Sequence, residues 1–108
     1  MKIPDNVAIP EEKLTRYLLV PRIKDDKSKF LAQAGFTQDN PNDLLNAIKQ
    51  LVLITDAVED NINEYGVFYT VTGNLQGLNG RSLPVVTVWL QSRDNGSFRF
   101  ITLKPKKD

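Results

Sequence analysis

The amino-acid sequence predicts an α+β fold in which about three N-terminal helices pack on one face of a three- to four-stranded antiparallel meander. Three observations predict it. Apolar residues before residue 56 recur at helical spacing between Pro and Gly punctuation. The segment Val67–Leu103 is dense in Val, Thr, Phe, Tyr and Trp. Two Asn-Gly dipeptides, Asn79-Gly80 and Asn95-Gly96, divide that segment as hairpin turns would. With 108 residues the chain is long enough for one core, so 1–108 is read as a single domain.

The first helix starts at Pro10, a first-turn residue, with Glu11 and Glu12 beside the positive end of the helix dipole. Leu14, Tyr17 and Leu18 form its apolar stripe, and Pro21 ends it. Asp26 is placed to cap a short second helix, Lys27–Ala34. Gly35 supplies a left-handed exit, and Phe36 folds back on Leu31. The third helix has Asn40 as cap, Pro41 in its first turn, and Leu44, Leu45, Ile48, Leu51, Val52 and Thr55 on one stripe. Residues Glu59–Gly66 read as a solvated connector. Their carboxylates match no cation-binding loop.

Two-residue turns at both Asn-Gly sites would dictate the sheet register. Leu78 then faces Arg81, Val71 faces Val88 and Thr70 faces Trp89, while Asp94 faces Ser97 and Trp89 faces Thr102. The helix-covered face would hold Tyr69, Val71, Leu75, Val86, Val88, Leu90, Ile101 and Leu103. The opposite face would collect Phe68, Thr70, Thr72, Arg81, Thr87, Trp89, Gln91, Arg93, Phe98, Phe100, Thr102 and Lys104. In the same register Pro84 and Pro105 mark where the last strand stops.

That second face carries the functional expectation. Bases could stack on Trp89 and Phe100 beside the hydroxyls of Thr87 and Thr102, with Arg81 and Lys104 neutralising phosphates. The alternative is that the N-terminal arm or first helix covers these aromatics and the threonines are simply good strand residues. Arg81 is either a solvated group beside a turn or a planar fork for bidentate phosphate recognition. Lys24, Lys27 and Lys29 form a second basic cluster, screened in part by Asp25 and Asp26.

Composition narrows the chemistry. With no histidine and no cysteine, the commonest general base and the thiolate metal sites are both unavailable to this chain, and neither a metal nor a cofactor is expected. The formal net charge of +1 is unevenly spread: residues 30–66 hold six acidic groups and one basic, whereas 67–108 hold six basic and two acidic. Such asymmetry suits a local anion site. No apolar run approaches the about 18 residues of a membrane span, and MKIPDNVAIP lacks a signal-peptide core. A cytoplasmic location with no membrane partner is the expectation.

Four segments, KLTRYLLVP (13–21), KSKFLAQAGF (27–36), NEYGVFYTV (63–71) and GLNGRSLPVVTVW (77–89), with ITL at 101–103, resemble a small bacterial domain family of uncharacterised activity. Its members occur as free-standing proteins and at the C-terminal ends of polymorphic toxins. Helices followed by an antiparallel meander also resemble the layout of RelE, colicin and barnase-type ribonuclease toxins. The resemblance implies an RNA-binding or metal-independent RNA-cleaving domain. Such cleavage needs a base, a cation at the phosphate and an acid for the leaving oxygen. Glu64 or Tyr69 would then be the base, with Arg81 or Lys29 at the phosphate, although the register turns Tyr69 toward the core. The rival expectation is a non-enzymatic module that binds a protein such as a cognate antitoxin or immunity protein.

Overall fold

The structure is a computed structural model that describes residues 1–4, 7–21 and 27–106. The expected cap Asp26 and the lysine at position 24 lie outside the described residues.

The fold is α+β, with the helices N-terminal to a four-stranded antiparallel sheet. Helix α1, Glu11–Lys13, runs on into a π-helical turn, Leu14–Leu18, closed by the Leu19 amide donating to the Leu14 carbonyl at 2.9 Å. Helix α2 spans Lys27–Ala32 and α3 spans Pro41–Ile54. The strands are β1 Val58–Asn63, β2 Gly66–Gln76, β3 Ser82–Ser92 and β4 Phe98–Pro105, in the spatial order β1-β2-β3-β4.

Local chemistry explains the helix ends. Gly35 has φ +91°, and the Phe36 amide reaches back to the Leu31 carbonyl at 3.2 Å, so Phe36 and Leu31 meet in the core as expected. Asn40 precedes α3, but its side chain makes no cap bond to the helix. Its Oδ1 accepts from the Thr37 amide at 2.7 Å and its Nδ2 donates to the Gly35 carbonyl at 2.9 Å, tying down the α2–α3 loop instead.

The connector expected at 59–66 is largely a strand. Val58–Asn63 pairs with β2 as an edge, all six of its residues exposed, with a bulge between Glu59 and Asn61. Its Asp and Asn residues have low strand propensity, which is tolerated at an edge where one side of the backbone stays solvated. On the other edge, Ala8 forms a single parallel bridge to Arg99: the Ala8 amide donates to the Phe98 carbonyl at 3.3 Å and the Phe100 amide donates to the Ala8 carbonyl at 2.8 Å.

The register differs from the expected one, and turn length is the cause. Neither Asn-Gly forms a two-residue turn. The first hairpin closes by a bond from the Gly77 amide to the Arg81 carbonyl at 2.7 Å around a three-residue loop, Leu78-Asn79-Gly80, with Gly80 at φ +83°. One extra loop residue shifts every pair by one, so Val71 faces Thr87 rather than Val88, and Tyr69 faces Trp89. That slip exchanges the two faces of β3. The second hairpin has a four-residue loop, Arg93–Gly96, and pairs Ser92 with Ser97. The shift of two keeps Phe98 and Phe100 on the side of Trp89. A bulge near Val88 and Trp89 then restores Leu103 to the side of Thr87.

The inner face is therefore Tyr69, Val71, Leu75, Leu83, Val85, Thr87, Trp89, Phe98, Phe100 and Leu103. Of these Val71, Leu75, Val85, Thr87, Trp89 and Leu103 have no exposed surface. They form one buried cluster with Leu14, Leu18, Leu31, Phe36, Leu44, Ile48, Leu51 and Val52 from the helices. Gly73 makes room for α3, because a Cβ there would stand 2.8 Å from the Leu51 Cδ1. The outer face carries Phe68, Thr70, Val86 and Val88, all half-buried, with Leu90 buried among strand neighbours outside the main cluster. Strand β4 ends at Pro105, as expected, but opposite Val85 rather than Val86.

Candidate functional site

The register decides the fate of the expected base-stacking face. Trp89 and Thr87 are wholly buried and Phe100 is 1% exposed, so none of the three can receive a nucleotide. They are core. The Trp89 Nε1 donates to the Thr87 Oγ1 at 2.8 Å, and that hydroxyl donates to the Val71 carbonyl at 2.9 Å. The indole meets Phe100 edge to face, with centroids 5.2 Å apart. A buried hydroxyl thus satisfies the indole N–H and spends its own proton on the neighbouring strand, leaving no buried side-chain polar atom unpaired among the described residues.

The residues expected to perform catalysis are dispersed. Glu64 lies in the turn between β1 and β2, and Arg81 at the opposite end of β2. The 11 residues of that strand separate them by about 30 Å. They cannot attend the same phosphate. Lys29 is exposed on α2 and Lys104 is exposed on β4, opposite Val86. Tyr69 is half-buried on the inner face, its hydroxyl donating to Gln91 Oε1 at 3.5 Å.

One predicted residue does enter a polar constellation. Thr102, opposite Val88 on β4, meets Tyr17 from the π-helical turn and Lys27 from the first residue of α2. The Lys27 Nζ donates to the Thr102 Oγ1 at 2.8 Å and to the Tyr17 hydroxyl oxygen at 3.0 Å. The Thr102 hydroxyl in turn lies 3.4 Å from the same phenolic oxygen as a donor. Lys27 also stands 5.1 Å from the centroid of the Tyr17 ring, and Lys13 stands 5.8 Å from it. All three bonded side chains are half-buried, so the cluster is open to solvent.

The electrostatic consequence falls on Tyr17. Hydrogen bonds from Thr102 and then Lys27 favour the phenolate, and the positive charges of Lys27 and Lys13 add to them, together outweighing the burial that opposes ionisation. The Tyr17 pKa is held below the ordinary tyrosine value. π-Helical turns are rare and recur at functional sites, and Tyr17 sits on one. Helical periodicity alone gives Tyr17 only an apolar role, and sequence proximity gives Lys27 only membership of a lysine cluster. Tyr17 and Lys27 are 10 residues apart and Lys27 and Thr102 are 75 apart, so no local spacing announces the group.

The whole of this fold has a family. The chain belongs to DUF6883, a domain of unknown function, whose sequence profile matches residues 2–107. Among curated proteins no sequence matches it. Among solved structures it is similar to a chain of the contact-dependent growth inhibition toxin and immunity protein complex from Klebsiella pneumoniae 342, with a TM-score of 0.70 and 21% identity. The match covers 92% of this chain and 99% of that one. At that identity the likeness is one of fold. Among the described residues no helix is long and apolar enough to cross a membrane.

Proposed function

We propose that the domain is the RNA-directed component of a toxin system, binding or cleaving RNA at the Lys13, Tyr17, Lys27 and Thr102 cluster rather than on the sheet face expected from sequence. The observation that carries this reading is the convergence of Lys27 and Thr102 on one phenolic oxygen whose ionisation they favour. The fold likeness to a chain of a toxin and immunity protein complex supports the toxin-system setting.

The cluster holds the parts that internal transesterification requires. The ribose 2′-oxygen attacks the adjacent phosphorus and gives its proton to a base, for which the Tyr17 phenolate is suited. The Lys27 ammonium, with Lys13 nearby, stabilises the charge that develops on the phosphate oxygens. The bond from phosphorus to the 5′-oxygen breaks, and that oxygen takes a proton from Lys27 or from water, leaving a cyclic phosphate and a 5′-hydroxyl.

The test compares wild type with Tyr17→Phe and Lys27→Met on purified RNA, with circular dichroism confirming the fold of each variant. The expected result is cleavage by the wild type that falls about 10²-fold or more in Tyr17→Phe, with RNA binding that weakens steeply as salt rises. Intact RNA together with salt-insensitive binding would overturn the reading. A second reading, a protein-binding module of the same system, is favoured by the uncovered outer sheet face around Phe68, Val86 and Val88. It predicts a partner protein retained at high salt by Tyr17→Phe and wild type alike.

A further inference from the structure

We infer that the free edge of β1 is a docking site for an extended, lysine- or arginine-bearing segment of a partner protein, which adds to the sheet as a fifth strand. The inference is independent of what the Tyr17 cluster does. It starts from the sheet order, which leaves β1 and β4 as edges. Edge β4 is partly closed by the Ala8 bridge. Edge β1 has no strand partner beyond β2 among the described residues, and every one of its residues is exposed. A row of backbone donors and acceptors is thus left for another chain.

The side chains around that edge specify the occupant. Leu53, Ile54, Val58, Ile62 and Tyr65 are between 56% and 74% exposed, which gathers most of the exposed large apolar residues among the described residues into 53–65. The same stretch contains Asp56, Glu59, Asp60 and Glu64 and no basic residue. Of these acids, Asp56 is paired, with the Lys2 Nζ at 3.3 Å. The surface is apolar and anionic together. Val58, opposite Thr70, lies on the outer side and Glu59, opposite Tyr69, on the inner side, so aliphatic side chains of an added strand would cover Val58 while cationic ones would meet Glu59.

The two other obvious occupants fit badly. A second copy of this chain would set one acidic edge, with no basic residue between 53 and 65, beside an identical one, and like charges brought together across a ladder are destabilising. A nucleic acid would bring phosphates to the same carboxylates. The chain's own N-terminus already pairs with backbone at the start of this edge: the Ala57 amide donates to the Met1 carbonyl, at 2.6 Å, one residue before β1. An added strand would extend that pairing along residues 58–63.

The experiment uses the whole 108-residue chain and three short synthetic peptides: alternating lysine and valine, alternating glutamate and valine, and the lysine–valine peptide N-methylated at every second residue. Backbone amide NMR follows each titration into the millimolar range. The expected result is that the lysine–valine peptide alone shifts the amides of residues 58–63 and their β2 partners, and that Glu59→Lys with Asp60→Lys weakens it by about tenfold or more. N-methylation should abolish the shifts, because it removes the main-chain donors that an added strand needs. Shifts unaffected by N-methylation would reveal ionic adsorption without strand addition and overturn the proposal. So would an absence of shifts at 58–63, or a dimer in sedimentation analysis whose 58–63 amides are protected from exchange.

Discussion

The two faces of the sheet are built from similar residues and have opposite fates. Inside lie Thr87, Trp89, Val85 and Leu83, buried against the helices; outside lie Val86, Val88 and Pro84, their immediate chain neighbours, and Thr102 from β4. Alternation along β3 is equally apolar on both sides, so composition does not say which side is the core. Turn length does, because one added residue in the Leu78–Gly80 loop exchanges the faces. The lesson is that an aromatic, hydroxyl-rich strand face has the same composition as a binding platform and as a core with an anchored indole. The burial of Trp89, Thr87 and Phe100 and the hydrogen bond from Trp89 to Thr87 tell which one it is.

The largest test of that contrast is to truncate one aromatic on each face. Trp89→Ala should cost about 3–5 kcal/mol in denaturant unfolding, enough to unfold many domains of this size, whereas Phe68→Ala on the half-buried outer face should cost clearly less. Equal losses would break the comparison. Next in size, Thr87→Val leaves the indole N–H without its acceptor and the Val71 carbonyl without its donor, a loss of about 1–3 kcal/mol. The matching exposed change, Thr72→Val, should stay within about 0.5 kcal/mol. Gly80→Ala probes the turn that sets the faces. Nothing lies within 4 Å of a Cβ there, so the expected loss of about 1–2 kcal/mol is purely the strain of a positive φ. A negligible loss would mean that the loop is not the one described.

The smallest effect is a titration. Tyr17 should ionise below the ordinary tyrosine range when followed by ultraviolet difference absorbance, and Lys27→Met should move it upward while leaving the Thr102 bond in place. The sign follows from linkage. Because the folded pKa is lowered, the stabilising contribution is fully present above the unfolded value and is lost as pH falls through the folded one. If cleavage depends on the phenolate, its rate should climb as pH rises through the folded Tyr17 pKa.

Much of the architecture was legible in the chain. The Gly35 exit and the Phe36 return, the helix opened by Pro41 and the meander after Val67 all rest on local rules about caps, φ angles and β-branched residues, and they stand in the structure. The strand Val58–Asn63 was hidden because an edge tolerates polar residues that a central strand would not. The candidate site was barely legible. Thr102 was named for a face of the sheet, and Tyr17 and Lys27 were assigned roles on separate helices, since three contributions from distant parts of the chain leave no spacing signature.

What the sequence determined by itself was most of the menu: which segments are helices, which segments after Val67 are strands, and that acid gathers in 30–66 while base gathers in 67–108. Those features arise within a few residues of each other, where backbone sterics and side-chain periodicity act. The tertiary structure alone decided which alternate residues of β3 face the helices and which lysine reaches which tyrosine. Both depend on the parity of a loop and on closures spanning most of the chain, where a single residue of slippage reverses the outcome at little local cost.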